Sequence, residues 1–298
     1  MRAIAGMDLT ESDNRAIASA ARYMFGIAVP PGLSPVEPAA LAAALAGSTL
    51  GKDAVKFLAV MAFIDGTLDK TKIASVLRYA QALGLHERYV DEIAEAAQGH
   101  VREALADMTR ANMESITGKP WADADATAWL TPYNAAPDPA LAQRFEALGR
   151  SPPESFGYAF YRQYKDNKYA FPGEPTALNI AFAVPHDSVH VLTGYGTTPR
   201  GELLASTFTA GMHPHFPMAG HILPVIFSWH LGIEINPVAS DARGALDPQE
   251  FWRAWAAGHA SKTDTFAPGW DFWGCVREPL DAVRARLSIP AGGLDRTP

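Results

Sequence analysis

Apolar residues recur along this chain with the period of an α-helix and nowhere convincingly with the period of a strand. Ile73, Val76, Leu77 and Ala80 stand at i, i+3, i+4 and i+7, the spacing that lines up one helix face. Phe156, Phe160 and Tyr164 form a second stripe, and Leu280, Val283 and Leu287 a third. The punctuation agrees. "TESDNRAIASAARYMFG" opens on Thr, Ser and Asp, residues able to cap a helix, and closes at Gly26. "DPQEFWRAWAAGHA" offers Asp247 as N-cap, Pro248 at the first helical position and Glu250 at the third. "DAVKFLAVMAFID" is apolar nearly all round, as a central buried helix must be. Asp65-Gly66 then turns the chain, and Gly84 ends the next helix. The expected fold class is all-α.

Two helical domains are expected, 1–116 and 140–298. Between them "GKPWADADATAWLTPYNAAPDPA" has no clear period and is rich in Pro, Ala and Asp. It reads as a linker over 117–139, with Trp121 and Trp129 pinned onto one domain. With 298 residues, 48% hydrophobic and 19% charged, there is ample material for a core. A net charge of −7 without a long basic run argues against nucleic acid as a partner, because neutralising phosphates takes clustered Lys and Arg. Cys275 is the single cysteine, so neither an internal disulfide nor a multi-cysteine zinc cluster can form, and its flanking Trp273 and Val276 read as packing. The runs "FLAVMAFI" and "HILPVIFSWHLGI" fall short of the ~20 residues of a membrane span. "MRAIAGMDLTESDNR" lacks the long apolar core of a signal peptide. A cytoplasmic protein is expected, with peripheral contact at the inner membrane face left open.

One stretch carries chemistry: "PHDSVHVLTGYGTTPRGE", from Pro185 to Glu202. His186 and His190 lie just over one helical turn apart, so both imidazoles share a face and can converge on one cation. Gly194 and Gly196 break that helix, and Thr198-Pro199 reads as the cap and first residue of the next. Glu202 then sits in the opening turns of the second helix. If the two helices lie side by side, Glu202 completes a set of two histidines and one carboxylate, which leaves coordination positions open for chemistry. Asp187, about 100° further round the helix, either joins the set or orients a histidine. Pro185 cannot continue a hydrogen-bonded helix, so the ligand helix starts or bends there. On the residues alone, a solvated helix face carrying two histidines remains the alternative.

The same stretch resembles a known family. H-D-x-x-H, eleven residues and then E is the motif of the coenzyme Q biosynthesis protein four family, here His186, Asp187, His190 and Glu202. "PPESFGYAFYRQY" before it and "REPLDAVRARLSI" at the end also resemble that family, over roughly 140–298. The resemblance implies a helical fold and a divalent metal on those four residues, with zinc, iron and manganese not distinguished. It implies a groove for a prenylated aromatic or prenyl-lipid ligand, and association with other ubiquinone-synthesis proteins at a membrane surface. The activity implied is oxidative decarboxylation of a polyprenylated benzoate, a lyase-type step; a lipid-binding scaffold is the alternative. Tyr195, beside the ligands, is a candidate proton donor, with packing as its other role. "LAVMAFIDGTLDKTKIASVLRYAQALGL", within about 37–116, resembles the TerB-like helical domain of tellurite-resistance proteins. Acidic residues of that family have been linked to metal ions. At the level of residues, Asp65 and Asp69 read as turn and cap.

A hydrolase is the weaker rival. It compares "HDSVH" with H-E-x-x-H and needs Asp187 to act as the base for a metal-bound water. No nucleophile elbow and no P-loop are present. In "HPHFPMAGH", Pro214 and Pro217 suggest a loop with His213, His215 and His221 exposed, a second metal or a substrate contact being the alternative. His230 and His259 read as core or helix-edge residues. The oligomeric state, a homo-oligomer included, is left open.

Overall fold

Helices form where the periodicity places them. The computed structural model describes residues 1–5, 9–29, 32–120, 137–235 and 242–295. Among these there is no strand, only the isolated bridges Ser155 to Pro279 and Leu231 to Arg243. The first half contributes α1 (Glu11–Phe25), α2 (Pro38–Ala44), α3 (Leu50–Phe63), α4 (Lys70–Ala82), α5 (Arg88–Gln98) and α6 (Val101–Thr117). The second contributes α7 (Pro139–Glu146), α8 (Phe156–Asn167), α9 (Ile180–Thr193), α10 (Pro199–Met212), α11 (Leu223–Val225), α12 (Pro248–His259), α13 (Phe272–Cys275) and α14 (Leu280–Arg286). The short α11 is flanked by π-helical segments, Pro217–Ile222 and Ile226–His230. The linker tryptophans Trp121 and Trp129 lie outside the described residues.

Local chemistry explains the ends. Thr10 and Asp13 form a reciprocal capping box at α1, and Gly26 closes it at φ 67°. Asp69 caps α4 by accepting from the Thr71 and Lys72 amides. Asp65 takes Lys72 Nζ at 2.8 Å and the Thr67 hydroxyl at 2.7 Å. Both aspartates are thus engaged in holding the turn, as their residue-level reading expected.

The apolar core crosses from one half of the chain to the other. α1 packs on α12, and α6 on the first π-helical segment. Phe57 of α3 lies 5.1 Å from Trp252 and 5.8 Å from Trp255, ring to ring. Phe63 meets Phe227 at 5.5 Å. On the other side of α12, α10 approaches to backbone contact. A Cβ on Gly258 would stand 2.0 Å from Phe208 O, and one on Gly211 would stand 2.4 Å from Trp255 O. Only glycine permits that approach, and it fixes the helix that carries Glu202. Among the described residues no helix is long and apolar enough to cross a membrane.

Candidate metal centre

α9 is capped by Asn179, whose side chain accepts from the Ala181 amide, and it runs through Pro185. Proline lacks an N–H, so one bond of the ladder is missing on the turn before His186. The Pro185 carbonyl accepts from the Thr265 hydroxyl at 3.2 Å. Gly194 ends α9 at φ 81°. The chain doubles back and restarts at Thr198, whose hydroxyl accepts from the Gly201 amide at 3.2 Å, with Pro199 in the first position. The turn is tight enough that a Cβ on Gly201 would fall 1.7 Å from Gly196 O. This folding back lays the first turn of α10 beside the last turns of α9, as the paired-helix reading required.

Glu202 Oε2 consequently lies 3.3 Å from His190 Nε2 and 3.6 Å from His186 Nε2. Nitrogen and oxygen donors about 2.0–2.1 Å from a tetrahedral ion are separated by ~3.3 Å. Each histidine thus stands from the Glu202 carboxylate at about the separation of two ligands of one cation. Donor atoms of His186, Asp187 and His190 also come within 4.8 Å of one another, and this group could hold a metal ion. Asp187 and Glu202 differ in their hydrogen bonds. Asp187 Oδ1 is 3.1 Å from His186 Nδ1, and Oδ2 accepts from the Tyr164 hydroxyl at 2.6 Å. Through these bonds Asp187 orients His186, whose Nε2 faces Glu202. His190 is oriented from the opposite side: its Nδ1 donates to the Tyr195 carbonyl at 2.9 Å. A carbonyl can only accept, so the neutral ring must present a lone pair at Nε2. That atom is buried without a hydrogen bond of acceptable angle. A buried nitrogen lone pair facing a carboxylate calls for a cation between or upon them, either a proton or a metal.

The charges respond accordingly. Burial alone would lower the His190 pKa, but the Glu202 carboxylate overrides it and lifts the ring to about 9. Burial opposes ionisation of Glu202, yet the His190 charge, with that of His186, brings its pKa below the ordinary value. In metal-free protein these shifts have a stated sign. The raised histidine contributes stability below its unfolded pKa of about 6.5, and that is lost as pH rises through about 9. The lowered glutamate contributes above its unfolded pKa of about 4.3, and that is lost as pH falls. Chelator-treated protein is expected to melt highest between about pH 5 and 6.5 and progressively lower toward pH 9. A melting temperature that stays flat from pH 6.5 to 9.5 contradicts the pairing.

Tyr195 contributes through its backbone. Its side chain is buried, and the charges acting on its phenol are those of Arg253, Asp295, Glu250 and Arg200. The proton-donor role expected for it finds no support in this placement. The phenol that reaches the centre is Tyr164, which the periodicity marked as one of a core stripe. It is core, stacked on Phe160 at 4.9 Å and Phe171 at 5.0 Å, but its hydroxyl ends on Asp187. Burial, followed by the Asp187 charge, holds it protonated and donating. Tyr164→Phe is expected to weaken metal binding about tenfold with little change in fold, since it frees Asp187 to swing from His186. Competition against a chromophoric chelator measures this, and unchanged affinity excludes the steering role.

His186, Asp187, Tyr164 and Glu202 open onto a cavity of about 600 Å³. Its other walls include Phe182, Ala177, Leu178, Val225, Trp229, Ile235 and Phe266, with Met108, Thr109 and Asn112 of α6. Lys168 lies among the lining residues. The "HPHFPMAGH" stretch departs from its reading as an exposed loop. His215 is exposed, but Pro217 opens a π-helical segment, and both His213 and His221 are buried. His230 is buried with Nδ1 accepting from the Leu246 amide, whereas His259 is exposed. Cys275 is buried, as packing required.

Comparison with known proteins gives no match to a family model, to a curated protein or to a solved structure.

Proposed function

We propose that this chain is a metal-dependent protein of the ubiquinone-synthesis type that binds a prenylated hydroxybenzoate and replaces its ring carboxyl by hydroxyl. The observation that carries the reading is the cluster of His186, His190 and Glu202, of which His186 and Glu202 line an apolar-walled cavity large enough for a substituted aromatic ring. The H-D-x-x-H…E resemblance supplies the reaction class. A divalent ion held by His186, His190 and Glu202 would supply Lewis acidity, and a redox-active one would relay electrons from an external reductant.

The chain's own residues do the rest. Asp187 and the Tyr195 carbonyl fix both imidazoles, and Tyr164 fixes Asp187. Lys168 offers a cation to the substrate carboxylate. Phe182, stacked on His186 at 4.6 Å, and Phe266 confine a flat ring and exclude water. A prenyl chain follows the apolar walls at Val225, Trp229 and Ile235. The hydrolase reading needs Asp187 as base, and Asp187 is already held by Tyr164 and His186 as an orienting group. Peripheral membrane contact rests on the resemblance. Association with other ubiquinone-synthesis proteins rests on the resemblance alone.

The test is to load the protein separately with iron, manganese and zinc and incubate it in air with a geranylated 4-hydroxybenzoate. With iron or manganese and ascorbate as the two-electron donor, mass spectrometry should show carbon dioxide leaving and one atom of O2 entering the ring, the other leaving as water. Binding without turnover under all three metals overturns the enzymatic reading and favours the scaffold, in which the metal braces α9 against α10.

A further inference from the structure

His221 lines the same cavity and is 5% exposed. Its two ring nitrogens can be told apart by their partners. Ser115 Oγ, on α6, is 2.8 Å from the His215 carbonyl oxygen and 2.8 Å from His221 Nε2. The carbonyl can only accept, so the serine proton goes to it. That leaves an Oγ lone pair, which accepts from His221 Nε2–H. A neutral imidazole has one ring proton, so Nδ1 carries a lone pair. Burial, and then the charges of His213 and His186, push the His221 pKa down to about 3, which keeps the ring neutral. His213 holds the clamp from the other side, with Nε2 3.0 Å from Ser115 O and Nδ1 2.7 Å from Asp264 Oδ2. With Nε2 committed to Ser115, Nδ1 is the ring nitrogen left to accept from an occupant of the cavity that His221 lines.

We propose that His221 Nδ1 is the acceptor for a phenolic hydroxyl on the ring bound beside His186 and Glu202, and that Ser115 is the positioning residue that keeps it an acceptor. The choice of a phenol rests on the ligand class of the proposed function and on the surrounding rings. Phe266 lies 5.9 Å from the His221 ring, and Phe182 covers His186. A site built to receive an O–H discriminates against the ether that lacks it. Because Ser115 belongs to α6, the N-terminal helices become part of ligand recognition.

The experiment uses the full chain loaded with zinc, which binds without turnover. Two probes are compared, a geranylated 4-hydroxybenzoate and its 4-methoxy counterpart. Wild type should prefer the hydroxyl about tenfold. His221→Phe should erase the preference while retaining zinc, and His221→Asn, which keeps an acceptor near the δ position, should retain it. If the phenylalanine variant does not fold, His221→Gln is read in its place. Nitrogen-15 shifts should show a proton on Nε2 of His221 in wild type and a mixture of tautomers in Ser115→Ala, a readout that a purely structural serine would not move. Preference surviving in His221→Phe, or a proton on Nδ1 in wild type, overturns the assignment. If zinc-loaded wild type binds neither probe, the prenylated-benzoate reading falls separately. Phenol itself then decides: a shift at His221 Nδ1 on its addition sustains the assignment, and none ends it.

Discussion

The His190→Ala protein is expected to purify without metal. Its affinity for zinc, iron or manganese should fall by about a thousandfold, from stoichiometric occupancy to none after dialysis. His190 is the most constrained member of the set. It is wholly buried, its Nδ1–H is committed to the Tyr195 carbonyl, and its Nε2 lies 3.3 Å from Glu202. Alanine removes the nitrogen and leaves Glu202, partly buried at the cavity wall, without its main counter-charge. The variant should therefore melt lower than wild type even when both are metal-free. Elemental analysis beside a thermal melt separates the two effects. Glu202→Gln should lose metal as completely, since an amide oxygen carries no charge, whereas Asp187→Asn should lose only about tenfold, as a group acting through His186 would. Equal losses in all three would place Asp187 on the metal. Full metal content in His190→Ala would return the motif to a helix surface that carries histidines.

Removal of residues 1–116 is expected to leave an insoluble product. This follows from where the first half is packed. Phe57 covers Trp252 and Trp255, Phe63 meets Phe227, and α6 lies along the segment Pro217–Ile222. Stripping those helices exposes Trp252, Phe227 and Ile222, all now fully buried. Each large apolar side chain returned to water costs about 1.5–3 kcal/mol, against a typical net stability of about 5–15 kcal/mol for a whole domain. It also opens the cavity at Met108, Thr109 and Asn112. Solubility, circular dichroism and metal content of the shortened chain test this. A soluble, metal-binding second half would show that the first is an accessory.

Much of this architecture was legible in residue order, and the misses share a physical origin. The stripe through Ile73, Val76 and Ala80 is buried as the period requires, and the caps Thr10, Asp69, Thr198 and Asp247 all accept amide protons. The side-by-side placement of α9 and α10 followed from Gly194, Gly196 and Pro199, because turn chemistry acts locally. What was hidden depends on contacts across the chain. Tyr164 reaches Asp187 over 23 positions, and Ser115 reaches His221 over 106. No spacing rule announces such pairs. The prolines in "HPHFPMAGH" pointed to a loop because a π-helical turn tolerates Pro217 at its start just as a loop does. The aromatic stripe of α8 concealed a polar task, since a tyrosine can be core along its ring and functional at its tip.

The wall that α6 lends to the cavity also sets the order in which the molecule can mature. α6 is synthesised before α9, α10 and the segment after His213 exist, and Arg15 of α1 meets Asp247 across 232 positions. Such distant closures are entropically costly and slow. During translation the early helices leave the ribosome with the faces intended for α12 and the π-helical segment uncovered. They can dock only once the last third of the chain has emerged. Closure of the chamber is therefore a late act of folding: the histidine pair can form with its own hairpin of helices, but the walls above it meet only when the oldest part of the chain meets the youngest.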